Sequence, residues 1–378
     1  MSKVFIITGE YSGNLHGAEV VKQLKSSYPD AEIEGIGADA MERVGVKLFA
    51  DHSKMSAVGL SPKIVCDHIK LGKSVVDYIL NEYKPDVVLL IDYGGFNMKI
   101  AKFLKKRGFN GKICYYIPPQ VWASRKYRIK AIKKYIDKVL CIFPFEVEMY
   151  KEYGIDVHYC GHPLVSQLAE KAERKEFFER HGFNPEKPLI SVFPGSRTFE
   201  LKFLMNLFIK SAKTLKRKHP DLQVCFSQAP NIKDSVYEKY FKDCDFKVIK
   251  GENQALLSVS DALILASGTV ALEAALYKTP LIISYRGPWF FYLVYLLVRA
   301  INMVSLPNII CNKTIVPELV QGLATHDNIV FETERLLYDK VVRANQVEDL
   351  GCVKEKLSDK NSAKEVAKVL SEVLKNKE

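Results

Sequence analysis

A chain of 378 residues, 48% hydrophobic and 26% charged, has an ordinary globular composition, and at about 150 residues per domain it is long enough for two cores. Its longest uninterrupted apolar run, Trp289 to Val298, is too short to cross a bilayer, which needs about 20 residues. The net charge of +11 points to an anionic partner without choosing among nucleotide, nucleic acid and anionic lipid.

The N-terminus runs directly into Val4-Phe5-Ile6-Ile7, a buried strand with no signal peptide before it. A helix over Leu15 to Leu24 follows, then a short strand, Glu32 to Ile36. The clearest strand is Val87-Val88-Leu89-Leu90-Ile91, with a helix near Met98 to Arg107 after it. Ile113 to Ile117 and Val139 to Ile142 continue the series. The polar segment Gly161 to Pro188, broken by Pro163, Gly182, Pro185 and Pro188, marks a domain boundary. Beyond it strands recur at Leu189–Phe193, Gln223–Phe226, Phe246–Ile249, Ala262–Leu265 and Pro280–Ser284. Continuous apolar strands separated by helices predict parallel sheets covered on both faces. The expected fold is α/β: two doubly wound Rossmann-like domains with an inter-domain cleft. Residues 1–165 would form the first, 166–345 the second and 346–378 a helical tail, packed on the first domain or on a partner chain. Ser362-x-x-Glu365 reads as a capping box opening the last helix.

In open parallel sheets ligands bind beyond the carboxyl ends of strands, at helix N-termini. Gly9-Glu10-Tyr11-Ser12-Gly13-Asn14 follows the first strand with glycines at GxxxGxxxG spacing, which is neither a dinucleotide fingerprint nor a P-loop. It suits contact with a sugar or phosphate, and equally a tight turn. Pro194-Gly195-Ser196-Arg197 offers amides, a hydroxyl and a guanidinium to a diphosphate; the alternative is an N-cap with a solvated arginine. Ser267, Gly268 and Thr269 provide a second such turn, and Glu273, about one helical turn further, can accept from the two hydroxyls of a ribose. Alone, Glu273 also reads as a surface helix residue. Asp92 ends the strongest strand, ahead of Gly94 and Gly95. It suits a base whose pKa is raised by burial, or an Asx-turn. His158-x-Cys160-x-His162 lacks the further ligands of a tetrahedral metal site. Eight scattered cysteines without CxxC spacing read as reduced cytoplasmic thiols.

Together these motifs resemble the lipid-A-disaccharide synthase family over nearly the whole chain. GEYSGNLHG, IDYGGFN, PPQVWAS, FPFE, GHPL, PGSR, ASGTVALE, SYR and SLPN occur in family order. The resemblance implies a GT-B glycosyltransferase without metal or cofactor, joining UDP-2,3-diacylglucosamine to 2,3-diacylglucosamine 1-phosphate. It would be cytoplasmic and peripheral on the inner membrane, with a homodimer as further partner and no nucleic acid. It implies Asp92 as general base for the acceptor 6-hydroxyl, with Ser12 and Arg197 as further catalytic residues. Ser196, Ser267, Gly268, Thr269, Glu273, Arg286 and Asn308 would bind the donor; Gly13, Asn14 and Asn97 would stand on the acceptor side. Four positions depart from the family: Asn14 replaces Asp, Gly94-Gly95 replaces a Pro and a polar residue, and Ser124 replaces Trp. The substrates' acyl chains require contact with a bilayer. The resemblance puts that contact in Met55 to Leu80, including Val58, Ile64, Val65, Ile69 and Val76; Trp289 to Val298 is a second apolar stretch. Arg125 to Lys138 carries seven basic residues against one acid, a solvated face or one turned to anionic groups. Two alternatives remain: another UDP-sugar enzyme of this architecture, such as a UDP-N-acetylglucosamine epimerase, and a non-catalytic nucleic-acid binder. The latter lacks interleaved basic and aromatic sheet motifs.

Overall fold

The computed structural model describes residues 2–51, 62–123, 127–289 and 302–375, with side chains of the helix Pro62–Tyr78 described from Cys66 onward. The chain divides into two compact units, one of Met1–Ser166 with Asp359–Glu378, the other of Gln167–Ser358.

The first unit is built on a parallel sheet of seven strands: β1 (Lys3–Ile7), β2 (Glu32–Gly37), β3 (Lys47–Asp51), β4 (Val87–Ile91), β5 (Lys112–Tyr116), β6 (Lys138–Cys141) and β7 (Val157–Tyr159). Their order is β3-β2-β1-β4-β5-β6-β7. The second unit has six parallel strands: β8 (Leu189–Phe193), β9 (Gln223–Gln228), β10 (Lys247–Lys250), β11 (Ala262–Ala266), β12 (Leu281–Tyr285) and β13 (Glu318–Val320). Their order is β10-β9-β8-β11-β12-β13.

The central strands β4, β8 and β11 are buried along their whole length, as helices on both faces require of an apolar strand. In Thr198–Lys218 the buried positions Leu201, Leu204, Met205, Phe208, Ile209, Ala212 and Leu215 follow helical spacing. Two strands escaped the sequence reading, β3 and β13. Each is short and neither is fully buried, so neither length nor an apolar run marks it. Ile117, read as strand, instead leaves β5 with a left-handed φ of 55°.

The last helix, Ser362–Lys375, belongs to the first unit. It buries Val366, Val369, Leu370 and Leu374 and packs chiefly on Tyr11–Ser27. Tyr28 Oη donates to the Ser371 carbonyl at 3.3 Å, and Tyr116 and Ser362 hydroxyls lie 2.7 Å apart. The capping box expected from Ser362 and Glu365 does not form. Asn361 caps instead, accepting from the Lys364 amide at 3.0 Å, while Glu365 turns to His158 at 3.1 Å.

Candidate active site

Each sheet reverses its winding once, between β1 and β4 and between β8 and β11. At such a switch point the loops leaving the two strands diverge and open a crevice at their carboxyl ends. In the first unit those loops carry Gly9–Ser12 and Asp92–Gly95; in the second they carry Gly195–Arg197 and Ser267–Thr269.

Asp92 and Tyr93 hold successive left-handed φ values of 48° and 50°. For residues other than glycine such backbone costs about 1–3 kcal/mol apiece and persists only when neighbours enforce it. The enforcing bonds are visible. The Asp92 amide donates to the Tyr116 carbonyl at 3.0 Å. Its carbonyl accepts from Asn97 Nδ2 and from Tyr115 Oη, both at 2.8 Å. Gly9 allows the next contact, because a Cβ there would overlap the Tyr93 ring. Tyr93 Oη in turn meets His68 Nε2 at 2.5 Å.

The Asp92 side chain is not the N-cap of the following helix, a position held by Tyr93 without a side-chain bond. It lines a cavity of about 850 Å³ together with Glu10, His68 and Tyr93. Burial raises its pKa above the usual carboxylate value, the Glu10 charge raises it further, and a bond from the Tyr93 backbone works in the opposite direction. A half-buried acid kept basic beside a second acid is suited to taking a proton.

Not every residue expected on the acceptor side reaches this cavity. Ser12 is exposed near the start of Tyr11–Ser27, while Gly13 and Asn14 are buried. Asn14 accepts from the amides of Ala38 (2.9 Å) and Met41 (3.3 Å) and so fastens the turn after β2. Asn97 is fully buried and acts on the backbone of Asp92. Both amides support the loops instead of facing a ligand. Glu10, Tyr93 and His68 were not singled out from the sequence. Only Glu10 carried a signal there, as the acidic member of the first glycine loop.

In the second unit Arg197, Glu200, Ser267 and Tyr285 line a cavity of about 650 Å³. The Pro194–Arg197 turn was read as offering its amides to a diphosphate. The structure corrects this. The amides of Ser196 (3.0 Å) and Arg197 (3.2 Å) both donate to the buried Glu200 Oε2. Gly195, at φ +116°, lets the turn close over that carboxylate, and a Cβ there would strike it. The guanidinium is what remains for an anion: it is 79% exposed and steadied by Glu200 Oε1 at 3.1 Å.

Gly268 and Thr269 are exposed at the head of Val270–Tyr277, but only Ser267 of that turn lines the cavity with Arg197. Glu273 lies outside that lining. It is half-buried, with its pKa raised by desolvation and opposed by a hydrogen bond from Gln254. Arg286 is exposed beyond β12. Asn308 does not fit the donor role. It is fully buried, donates to Val316 O and Glu318 Oε1, and accepts from the amides of Ile315 and Val316. With its amide saturated, it ties the helix Leu306–Cys311 to β13, and Glu318 completes the cap through the amides of Val304 and Ser305.

Of the expected membrane face, Val58 and the side chains of Ile64 and Val65 lie outside the described residues, as do residues 290–298 and 124–126. Ile69 is 50% exposed. Val76, at 2%, belongs to the core under the sheet and is no surface residue. Among the described residues no helix is long and apolar enough to cross a membrane, and no three His, Cys, Asp or Glu side chains form a metal-binding group. His158 and His162 have separate partners, Glu365 and the Leu164 amide.

Comparison with known proteins gives this geometry a family. A family model described as lipid-A-disaccharide synthetase matches residues 4–372. The lipid-A-disaccharide synthase of Coxiella burnetii (strain CbuG_Q212) is 34% identical over 374 residues, covering 98% of each chain. That of Myxococcus xanthus (strain DK1622) is 33% identical over 380 residues, covering 98% of this chain and 97% of its own. Among solved structures, UDP-GlcNAc 2-epimerase from Neisseria meningitidis bound to UDP-GlcNAc aligns with a TM-score of 0.67 at 13% identity, covering 98% of this chain and 100% of that one. The glycotransferase of kitacinnamycin aligns with a TM-score of 0.64 at 11% identity, covering 98% of each. These two share the fold, of GT-B type; the full-length sequence match is what separates this chain from the epimerases. The chain therefore belongs to the lipid-A-disaccharide synthase family of hexosyltransferases.

Proposed function

We propose that the protein joins UDP-2,3-diacylglucosamine to 2,3-diacylglucosamine 1-phosphate, giving the β-1,6-linked disaccharide 1-phosphate and UDP in one inverting displacement. The observation that carries this reading is Asp92, held by strained backbone at a switch point, with its basicity raised by burial and by Glu10. The acceptor 6-hydroxyl gives its proton to Asp92 as its oxygen bonds to the donor's anomeric carbon. The bond from that carbon to the diphosphate oxygen breaks, and its electron pair leaves with UDP. Arg197 takes up the charge growing on the diphosphate. Orientation of the two bound sugars contributes up to ~7–11 kcal/mol. The acyl chains bring the enzyme to the cytoplasmic face of the inner membrane, and exposed Ile69 supports a peripheral contact through Pro62–Tyr78.

A raised carboxyl pKa keeps Asp92 protonated, and so inactive as a base, to higher pH than an ordinary aspartate. kcat/KM should therefore climb through a limb displaced alkaline of the unperturbed value near 3.9. Because Glu10 contributes to the shift, Glu10→Gln should move that limb to lower pH. A pH profile of kcat/KM checks this, and an unmoved limb would count against the pairing.

The function itself is tested by turnover with the two lipid sugars, following UDP release and identifying the product linkage by NMR. A β-1,6 disaccharide phosphate is expected. Turnover of UDP-N-acetylglucosamine without an acceptor, and none with the lipid pair, would favour an epimerase and overturn the assignment.

A further inference from the structure

The cavity beside Asp92 extends well past the acid. It runs as a trough between the helices Pro62–Tyr78 and Gly94–Lys106. Phe96, Ile100 and Phe103 line it at helical spacing, and Phe103 is 51% exposed. Lys73, Lys99 and Lys102 also line it, exposed and in no ion pair with any described residue. An open apolar trough with unpaired cations on its rim fits an amphiphile, an apolar chain attached to an anionic group. The acid at its end sets the orientation: the reacting hydroxyl lies by Asp92 and the chain extends away from it.

Gly72 sits inside this trough, in the interior of the first helix. Glycine weakens a helix interior, and none of the described residues around it requires it here. A Cβ would make ordinary contacts with Phe96 and Ile100 at 3.5 and 3.6 Å, and the residue has no left-handed φ. What its missing side chain does provide is depth.

We propose that the trough holds an acyl chain of the sugar-phosphate acceptor and that Gly72 sets the chain length accepted. This rests on the assignment of Asp92 as base for that acceptor. The test uses two synthetic acceptors, below their micelle concentrations, whose chains differ by two methylenes. Each held methylene is worth about fourfold, so the native protein should favour the longer acceptor roughly fifteenfold in kcat/KM. Gly72→Leu should erase or invert that ratio, with Gly72→Ala in between. Unchanged UDP affinity and Tm would establish that the variants are folded. The same chain-length ratio in native protein and Gly72→Leu would overturn the trough while leaving the reaction standing. Absence of turnover with either acceptor in the native protein would instead overturn the reaction. A third outcome, loss of flotation with anionic vesicles at an unchanged chain-length ratio, would reassign the trough to the bilayer and reject the proposal.

Discussion

Asp92→Asn is expected to lower kcat by about 10²–10⁴-fold, the range a positioned general base supplies, while UDP binds with nearly native affinity. Asparagine has almost the same shape, so the hydrogen bonds that the backbone of residue 92 accepts from Asn97 and Tyr115 and donates to Tyr116 should keep the loop in place. Only the proton acceptor is lost. The variant should also lose the acid limb of the pH profile. Isothermal titration with UDP and single-turnover kinetics with the lipid acceptor separate the two effects. Equal loss of UDP affinity and turnover would mean that the loop had collapsed, and the base would have to be sought elsewhere.

Arg197→Ala comes next in size. Among the described residues its guanidinium is the only cationic group lining the second unit's cavity, and a charge-assisted bond to a diphosphate is worth roughly 1.5–3 kcal/mol, or about 10–150-fold in kcat/KM. Stability should hardly change. The side chain is 79% exposed, and an ion pair so open to solvent contributes little. Arg197→Lys keeps the charge but loses the planar fork, so it should recover only part of the activity. Steady-state kinetics beside a melting curve decide the matter. A fall in Tm matching the fall in activity would make Arg197 a structural partner of Glu200 and no more.

The resemblance placed the chemistry by motif, and the structure sorts those motifs by what they do. Strand ends followed by Gly, Ser and Asp were legible because buried apolar runs must stop where polar loops begin, and this located Asp92, Arg197 and Ser267. What the sequence could not carry was direction. Glu200 stands three residues after Arg197, a helical neighbour by spacing, yet it folds back under the turn and takes the amides expected for phosphate. Asn308 and Asn97 occupy motif positions and serve the fold: Asn308 is saturated by backbone and Glu318, and Asn97 donates to the carbonyls of Ile91 and Asp92. The VWA and FPFE motifs likewise meet as a structural knot. Trp122 Nε1 donates to buried Glu146 at 3.0 Å, and its ring packs edge-on against Phe143 and Phe145. Burial raises the Glu146 pKa to about 7, against the bonds it accepts from Phe143, Trp122 and Ile142. The trough was illegible for a further reason, since its walls come from two helices and its depth from the side chain Gly72 lacks.

The return of the chain at Asp359 to finish the unit begun at Met1 has a consequence for biosynthesis. During translation the opening sheet must wait, its Tyr11–Ser27 helix uncovered, until the whole intervening unit has left the ribosome. A stop codon placed after Ser358 would spare every loop discussed above, yet strip the hydrophobic cover from the half that holds Asp92. The interior unit, by contrast, is a single uninterrupted stretch that could be expressed as a separate fragment.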